Sequence, residues 1–317
     1  MREALFVKQN ADKWKKYEGL TSGNADDLAQ YFIDITDDLA YSKTFYPQSS
    51  TTAYLNGIAS RFHQSIYKNK KEKSNRFITY WSVELPSLFL KYNRQLLYSF
   101  IFFSVFALIG LVSAKYDDSF VKLILGDGYV NMTNENIAKG DPFAVYKDKD
   151  EFSMFFKIAT NNIFVSIYIF VSGIFFSIGT IINLIRNGIM LGAFQYYFFS
   201  KGLGWASVLV IWIHGTLEIS AVVIAGAAGL ILGNSILFPK TYTRLVSFRR
   251  GAKEGMMIIL GLIPIFIVAA ILESFVTRHT EMPIYLSASI LLISLSFIIW
   301  YTLIYPKQLL KRNKIII

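Results

Sequence analysis

Residues 205–233, WASVLVIWIHGTLEISAVVIAGAAGLILG, decide the fold. As a helix this run is long enough to cross the roughly 30 Å hydrocarbon core of a bilayer. His214 and Glu218 interrupt its apolar character near the middle. Because they lie four positions apart, a helix places them on one face, one turn from each other. An ionisable group at bilayer depth costs about 2.5–3.5 kcal/mol on insertion scales, so the pair implies neighbours that compensate it. The Gly/Ala-rich half that follows lets other backbones approach closely. The expected setting is a buried polar site between the helices of a multi-span membrane protein.

Composition agrees with that setting. The 317 residues are 53% hydrophobic and only 17% charged, against about 25% charged in an average soluble protein. The apolar residues concentrate after position 95. The opening MREALFVKQNADKWKKYE has neither an apolar core nor a small-residue cleavage site, so no signal peptide is expected and insertion is expected to rely on the spans. The chain has no cysteine, which excludes disulfides and cysteine-ligated metals. Its net charge of +10 comes with no nucleic-acid-binding motif. The charge fits basic segments on the cytoplasmic side of a membrane and anionic lipid headgroups, with no nucleic-acid partner.

Before the spans, residues 1–75 read as a cytoplasmic helical bundle. Apolar positions recur at helical spacing from Ala4 to Tyr17, along Leu28, Tyr31, Phe32, Ile35 and Leu39, and along Leu55, Ile58, Phe62 and Ile66. Gly23-Asn24 and Pro47-Gln-Ser-Ser separate the three stretches, and Lys68–Asn75 is a basic hinge. Residues 76–94 then read as an amphipathic helix in the headgroup plane, or as a further core-facing helix of the bundle. Phe77, Trp81, Leu85 and Leu88 line one side of it, and Pro86 is a candidate kink.

Within 95–317 the expected spans are 96–114, 162–185, 187–203, 205–233, 255–272 and 283–305. Charge decides the short third one. Residues 61–94 hold eight Lys/Arg and two Glu, so they belong inside. The 115–157 loop has six Lys against eight Asp/Glu and reads as translocated. Residues 234–254 carry Lys240, Arg244, Arg249, Arg250 and Lys253, and the tail carries Lys307, Lys311, Arg312 and Lys314. Both belong inside. Only an odd number of crossings joins the outer loop to residues 234–254, so the third segment must cross. The fold class is therefore all-α: a polytopic integral membrane protein of six spans, with both termini cytoplasmic.

Gly188 and Gly192, and again Gly229 and Gly233, form GxxxG faces suited to helix packing within one chain or across a homo-oligomer. Asn183 and Asn187 flank Arg186 at the expected junction of the second and third spans, where their amides can cap or cross-link helices and Arg186 can anchor at the cytoplasmic face. For His214 and Glu218 three readings stand. Metal binding needs further ligands, and the other histidines, His63 and His279, lie in the bundle and in a short loop. Proton coupling in a transporter suits a His/Glu pair. A polar clasp joining spans, with Asn or Ser from the second or third, is the structural alternative. Glu273 ends the fifth span and faces headgroups, a partner or a shared cavity at the outer surface. There is no HExxH, Walker A, Gly-x-Ser-x-Gly or dinucleotide motif. No enzymatic activity, metal or cofactor is expected.

The run Ile213-His214-Gly215-Thr216-Leu217-Glu218-Ile219, followed by Ala225-Gly226-Ala227-Ala228-Gly229-Leu230, resembles the signature of the stage II sporulation protein M family. So do Gly179-Thr180, Asn187-Gly188-Ile189-Met190-Leu191-Gly192-Ala193 and Glu273-Ser274-Phe275-Val276-Thr277. Asp37-Asp38-Leu39-Ala40-Tyr41 and Met1-Arg2-Glu3 are similar to the longer, non-sporulation branch. Ile213 departs from the pattern, which has proline before the histidine. The resemblance implies a bacterial inner-membrane protein without enzymatic activity that scaffolds or regulates a cell-envelope complex. By analogy its partners are peptidoglycan-remodelling enzymes, or a MoxR-type ATPase and an RDD-type membrane protein, together with lipids. His214, Glu218 and Glu273 are the expected polar site, and Asn187, Gly188, Gly192, Gly215, Gly226 and Gly229 the packing positions. The competing class is a transporter or lipid-translocating channel using the same His/Glu pair, and a third, an intramembrane hydrolase, requires a nucleophile or a third metal ligand packed beside His214.

Overall fold

A computed structural model describes residues 2–19, 25–67, 76–147, 150–280 and 282–312. Every regular element among them is helical. The expected breaks at Gly23-Asn24 and Lys68–Asn75, and Lys314 of the basic tail, lie outside the described residues. The chain divides into two units, Met1–Arg76 and Phe77–Ile317.

The first unit contains α1 (Glu3–Glu18), α2 (Ala25–Phe45) and α3 (Ser50–Tyr67). Their apolar stripes meet in one core of Phe6, Trp14, Tyr17, Ile35, Leu39, Leu55, Ile58, Ala59 and Phe62. The polar tips of the aromatic residues point to α2. Trp14 Nε1 donates to Asp38 at 2.8 Å, and the Tyr17 hydroxyl donates to Asp34 at 2.8 Å. Each ring thus buries its apolar body while its polar atom keeps a partner.

The second unit opens on a helical run: α4 (Arg76–Thr79), a wider π turn at Tyr80–Glu84, and α5 (Leu85–Lys91). Pro86 explains the π turn. It has no N–H to give the Ser82 carbonyl four residues back. That carbonyl accepts instead from the Tyr305 hydroxyl at 2.9 Å, and the Trp81 carbonyl accepts from Tyr301 at 2.6 Å. Leu85 and Phe89 are buried in one apolar cluster with Ile258, Ile259 and Leu262, so the apolar side of this run packs on α12. Phe77 and Ile78 remain exposed.

The chain continues through α6 (Asn93–Tyr116), α7 (Asp118–Leu125), α8 (Asp127–Ala138), a 3-10 turn at Ala144–Tyr146, and α9 (Glu151–Val171). It goes on through α10 (Ile178–Ser200), α11 (Gly204–Leu237), α12 (Arg244–Ile271), α13 (Ile284–Ile299) and α14 (Tyr305–Lys311). Five helical stretches are long and apolar enough to cross a membrane: Asn93–Tyr116, Glu151–Ile174, Gly204–Leu237, Arg244–Val276 and Ile284–Lys311. Helix α11 is the hub, packing against α6, α9, α10, α12 and α13. It runs unbroken through Ile213.

Small residues make these contacts close. A β-carbon at Gly188 would stand 2.6 Å from the Phe103 carbonyl oxygen of α6, and one at Gly192 would overlap the Ala107 carbonyl. One at Gly229 would collide with Thr180 and stand 2.8 Å from the Ile169 carbonyl oxygen. Gly226 faces Ser99 and Leu184 just as tightly. Gly215 is different: nothing comes nearer than Ile219 of its own helix, at 4.0 Å.

The second and third expected spans meet elsewhere than expected. Arg186 is not at their junction. The chain turns at Phe176 and Ser177, whose φ values of 54° and 68° are left-handed, and α10 begins at Ile178. Asn183 and Asn187 lie inside α10, and their amides donate to the carbonyls of Gly179 and Asn183, each at 2.8 Å. A polar cluster that reads as a break is thus absorbed by bonds one turn back along the same helix.

Gly192→Val is expected to lower the unfolding midpoint of the purified protein in detergent, with a cost of at least about 1–3 kcal/mol for overpacking. Gly57→Ala, at a position with nothing within 4 Å of the added carbon, should leave the midpoint unchanged or raise it.

Candidate functional site

Helix α11 supplies His214 and Glu218 from one face. The π turn at Leu272–Val276 supplies Glu273, and Thr277 follows directly. Helix α9 supplies Asn162, and the turn at Ala144–Tyr146 supplies Tyr146. Four separate stretches of chain therefore converge on one imidazole and two carboxyl groups.

His214 is 4% exposed and Thr277 1%. His214 Nδ1 lies 2.9 Å from the Thr277 hydroxyl oxygen, and Nε2 lies 3.9 Å from Glu273 Oε1. Glu218 Oε1 accepts from the Asn162 amide. One ligand-type atom from each of His214, Glu218 and Glu273 lies within 4.8 Å of the others. The Tyr146 ring meets the His214 ring edge-on, with centroids 5.8 Å apart. Burial, reinforced by the Glu273 and Glu218 carboxyl groups, pushes the Tyr146 phenol well above its ordinary range, so it stays protonated. Arg278 fastens this side of the site by pairing with Glu151 and donating to the Lys147 carbonyl at 3.2 Å.

The three residues singled out in the sequence are thus brought together, and Glu273 points into the bundle beside His214 instead of into headgroups. Gly188, Gly192, Gly226 and Gly229 lie at close helix contacts away from this cluster, while Asn187 bonds within its own helix. Sequence reasoning did not single out Tyr146 or Asn162. An amide at the start of an apolar run was a usable signal for Asn162. Tyr146 gave none, because it sits in an irregular loop whose path is set by tertiary contacts.

A sequence profile described as Stage II sporulation protein M matches residues 99–278. A second, described as a domain of unknown function (DUF8413), matches residues 4–68. No curated protein and no solved structure matches significantly.

Thr277→Val keeps the shape of the side chain but removes the hydroxyl facing a buried ring nitrogen. It is expected to cost about 1–3 kcal/mol, the penalty for an unsatisfied buried donor. Thermal unfolding in detergent reads the loss, and Thr277→Ser should recover most of it.

Proposed function

The chain belongs to the stage II sporulation protein M family, and from that premise we propose a non-enzymatic inner-membrane protein that organises or regulates a cell-envelope complex. One observation carries this reading. The residues that stand out chemically are committed to joining helices: His214 to Thr277 across α11 and the end of α12, and Glu218 to Asn162 across α11 and α9. Such an arrangement holds a bundle in one shape, as a platform for partners requires.

In this proposal α10 makes the sixth crossing. Its 23 residues cover about 34 Å at 1.5 Å per residue, enough to span. The N- and C-termini are then cytoplasmic, and the His214 cluster lies in the outer half of the membrane. The first unit, with its own profile match over residues 4–68, is the cytoplasmic docking element. The partners proposed are peptidoglycan-remodelling enzymes, or a MoxR-type ATPase with an RDD-type membrane protein.

The test uses Glu218→Gln, compared with the unaltered protein for partner recovery from native membranes and for ion or lipid flux in liposomes. The scaffold reading expects a defined envelope partner with the unaltered protein, reduced recovery with Glu218→Gln, and no flux from either. Flux from the unaltered protein that Glu218→Gln abolishes while staying folded would establish a transporter instead.

A further inference from the structure

The Thr277 hydroxyl lies between the Leu272 carbonyl and His214 Nδ1, an arrangement that favours one tautomer of the imidazole. It lies 3.1 Å from the Leu272 carbonyl, to which it donates. Its oxygen is then left to accept from His214 Nδ1–H at 2.9 Å. A neutral imidazole protonated at Nδ1 has a bare lone pair at Nε2. That lone pair faces Glu273 Oε1 at 3.9 Å, beyond hydrogen-bond distance. Among the described residues it has no hydrogen-bond partner, although the side chain is only 5% exposed.

Glu218 faces the same space, bonded to the Asn162 amide and sharing a hydrogen bond with Glu273 that a bound cation would replace. Among the described residues no Lys or Arg forms an ion pair with either carboxyl group. Three ligand-type atoms thus converge, and the nitrogen among them meets Glu273 only at 3.9 Å, with no hydrogen-bond partner among the described residues. A cation placed among them would satisfy all three at once.

We propose that His214, Glu218 and Glu273 bind one divalent transition-metal ion of the zinc class. An imidazole nitrogen favours zinc, nickel, copper or iron over magnesium and calcium, which prefer oxygen ligands alone. Two carboxylates cancel the charge of a divalent ion, so the loaded site is neutral at a depth where net charge is costly. Zinc ligands sit about 2.0–2.2 Å from the ion, which puts them about 3.3–3.6 Å apart in a tetrahedron. The 4.8 Å spread therefore has to close by about an ångström. The second shell is already built: Thr277 orients the imidazole, and Asn162 holds one carboxyl group. The expectation of no metal rested on finding two ligands without a third, and Glu273 is the third. This inference goes beyond the scaffold reading and stands without it, since a metal clasp between α11 and the end of α12 serves a platform or a transporter equally.

The experiment uses the full chain, purified with a tag free of histidine and with His63 and His279 replaced by glutamine to remove outlying imidazoles. After stripping with chelator, zinc uptake is measured by mass spectrometry and cobalt(II) uptake by its visible spectrum. The proposal expects one zinc per chain, at least tenfold weaker binding in Glu273→Gln, and cobalt bands of a four-coordinate nitrogen–oxygen site. It also expects zinc, but not magnesium, to raise the unfolding temperature. No uptake by the unaltered site would overturn it and leave a proton shared between the carboxyl groups as the occupant. Equal binding by Glu273→Gln would overturn it too, by placing the ion elsewhere. If Glu273→Gln does not fold, the cobalt spectrum of the unaltered site decides alone. Partner recovery and flux do not enter this readout, so the two readings fail independently.

Discussion

Close backbone approach along α11 is the constraint on which the rest depends. A helix touching five others can be surrounded so closely only if much of its surface lacks long side chains. Its second half, Ala225-Gly226-Ala227-Ala228-Gly229, meets that condition, with all five residues buried. Dispersion contacts and backbone shape then supply the adhesion that the hydrophobic effect cannot provide between helices in lipid. The first half of α11 holds the chemistry. His214 and Glu218 lie where the helix still has side chains to offer, and α9 and the end of α12 come near enough to answer them.

The energetics of that polar half differ from those of a soluble core. A hydrogen bond contributes about 0.5–1.5 kcal/mol net, while an ionised group at membrane depth costs about 2.5–3.5 kcal/mol. The single bond from Asn162 to Glu218 cannot offset that cost for two charged carboxylates. The groups must therefore neutralise one another or enclose a counter-charge, and the 4.8 Å separations allow either. The amphipathic residues near α5 and α14 follow a gentler logic. There the tyrosine hydroxyls of α14 and its preceding turn meet carbonyls beside a proline-induced π turn, so a local backbone defect becomes a tertiary contact.

Much of this was legible in the sequence. Apolar runs placed the long helices, and the spacing of His214 and Glu218 placed both on one face. The family resemblance pointed to Glu273, although only folding could show that it turns inward. The α9–α10 junction was misread for a physical reason. Ser172-Gly-Ile-Phe-Phe-Ser-Ile-Gly179 is apolar enough to look like mid-span, whereas Asn183, Arg186 and Asn187 look like a surface. Left-handed Phe176 and Ser177 make the turn, and neither residue type announces that conformation. Tyr146 was invisible because its role depends on where the 34 residues between α6 and α9 fold back.

The central claim is that α11 crosses the membrane as the axis of the bundle, with α10 crossing before it. A chain without cysteine allows the most direct measurement, which is labelling of single cysteines with an impermeant maleimide on intact cells. The account predicts that Lys139→Cys and Lys201→Cys are labelled from outside, and that Lys240→Cys is labelled only after the membrane is opened. Finding Lys201→Cys and Lys240→Cys on the same side would contradict it.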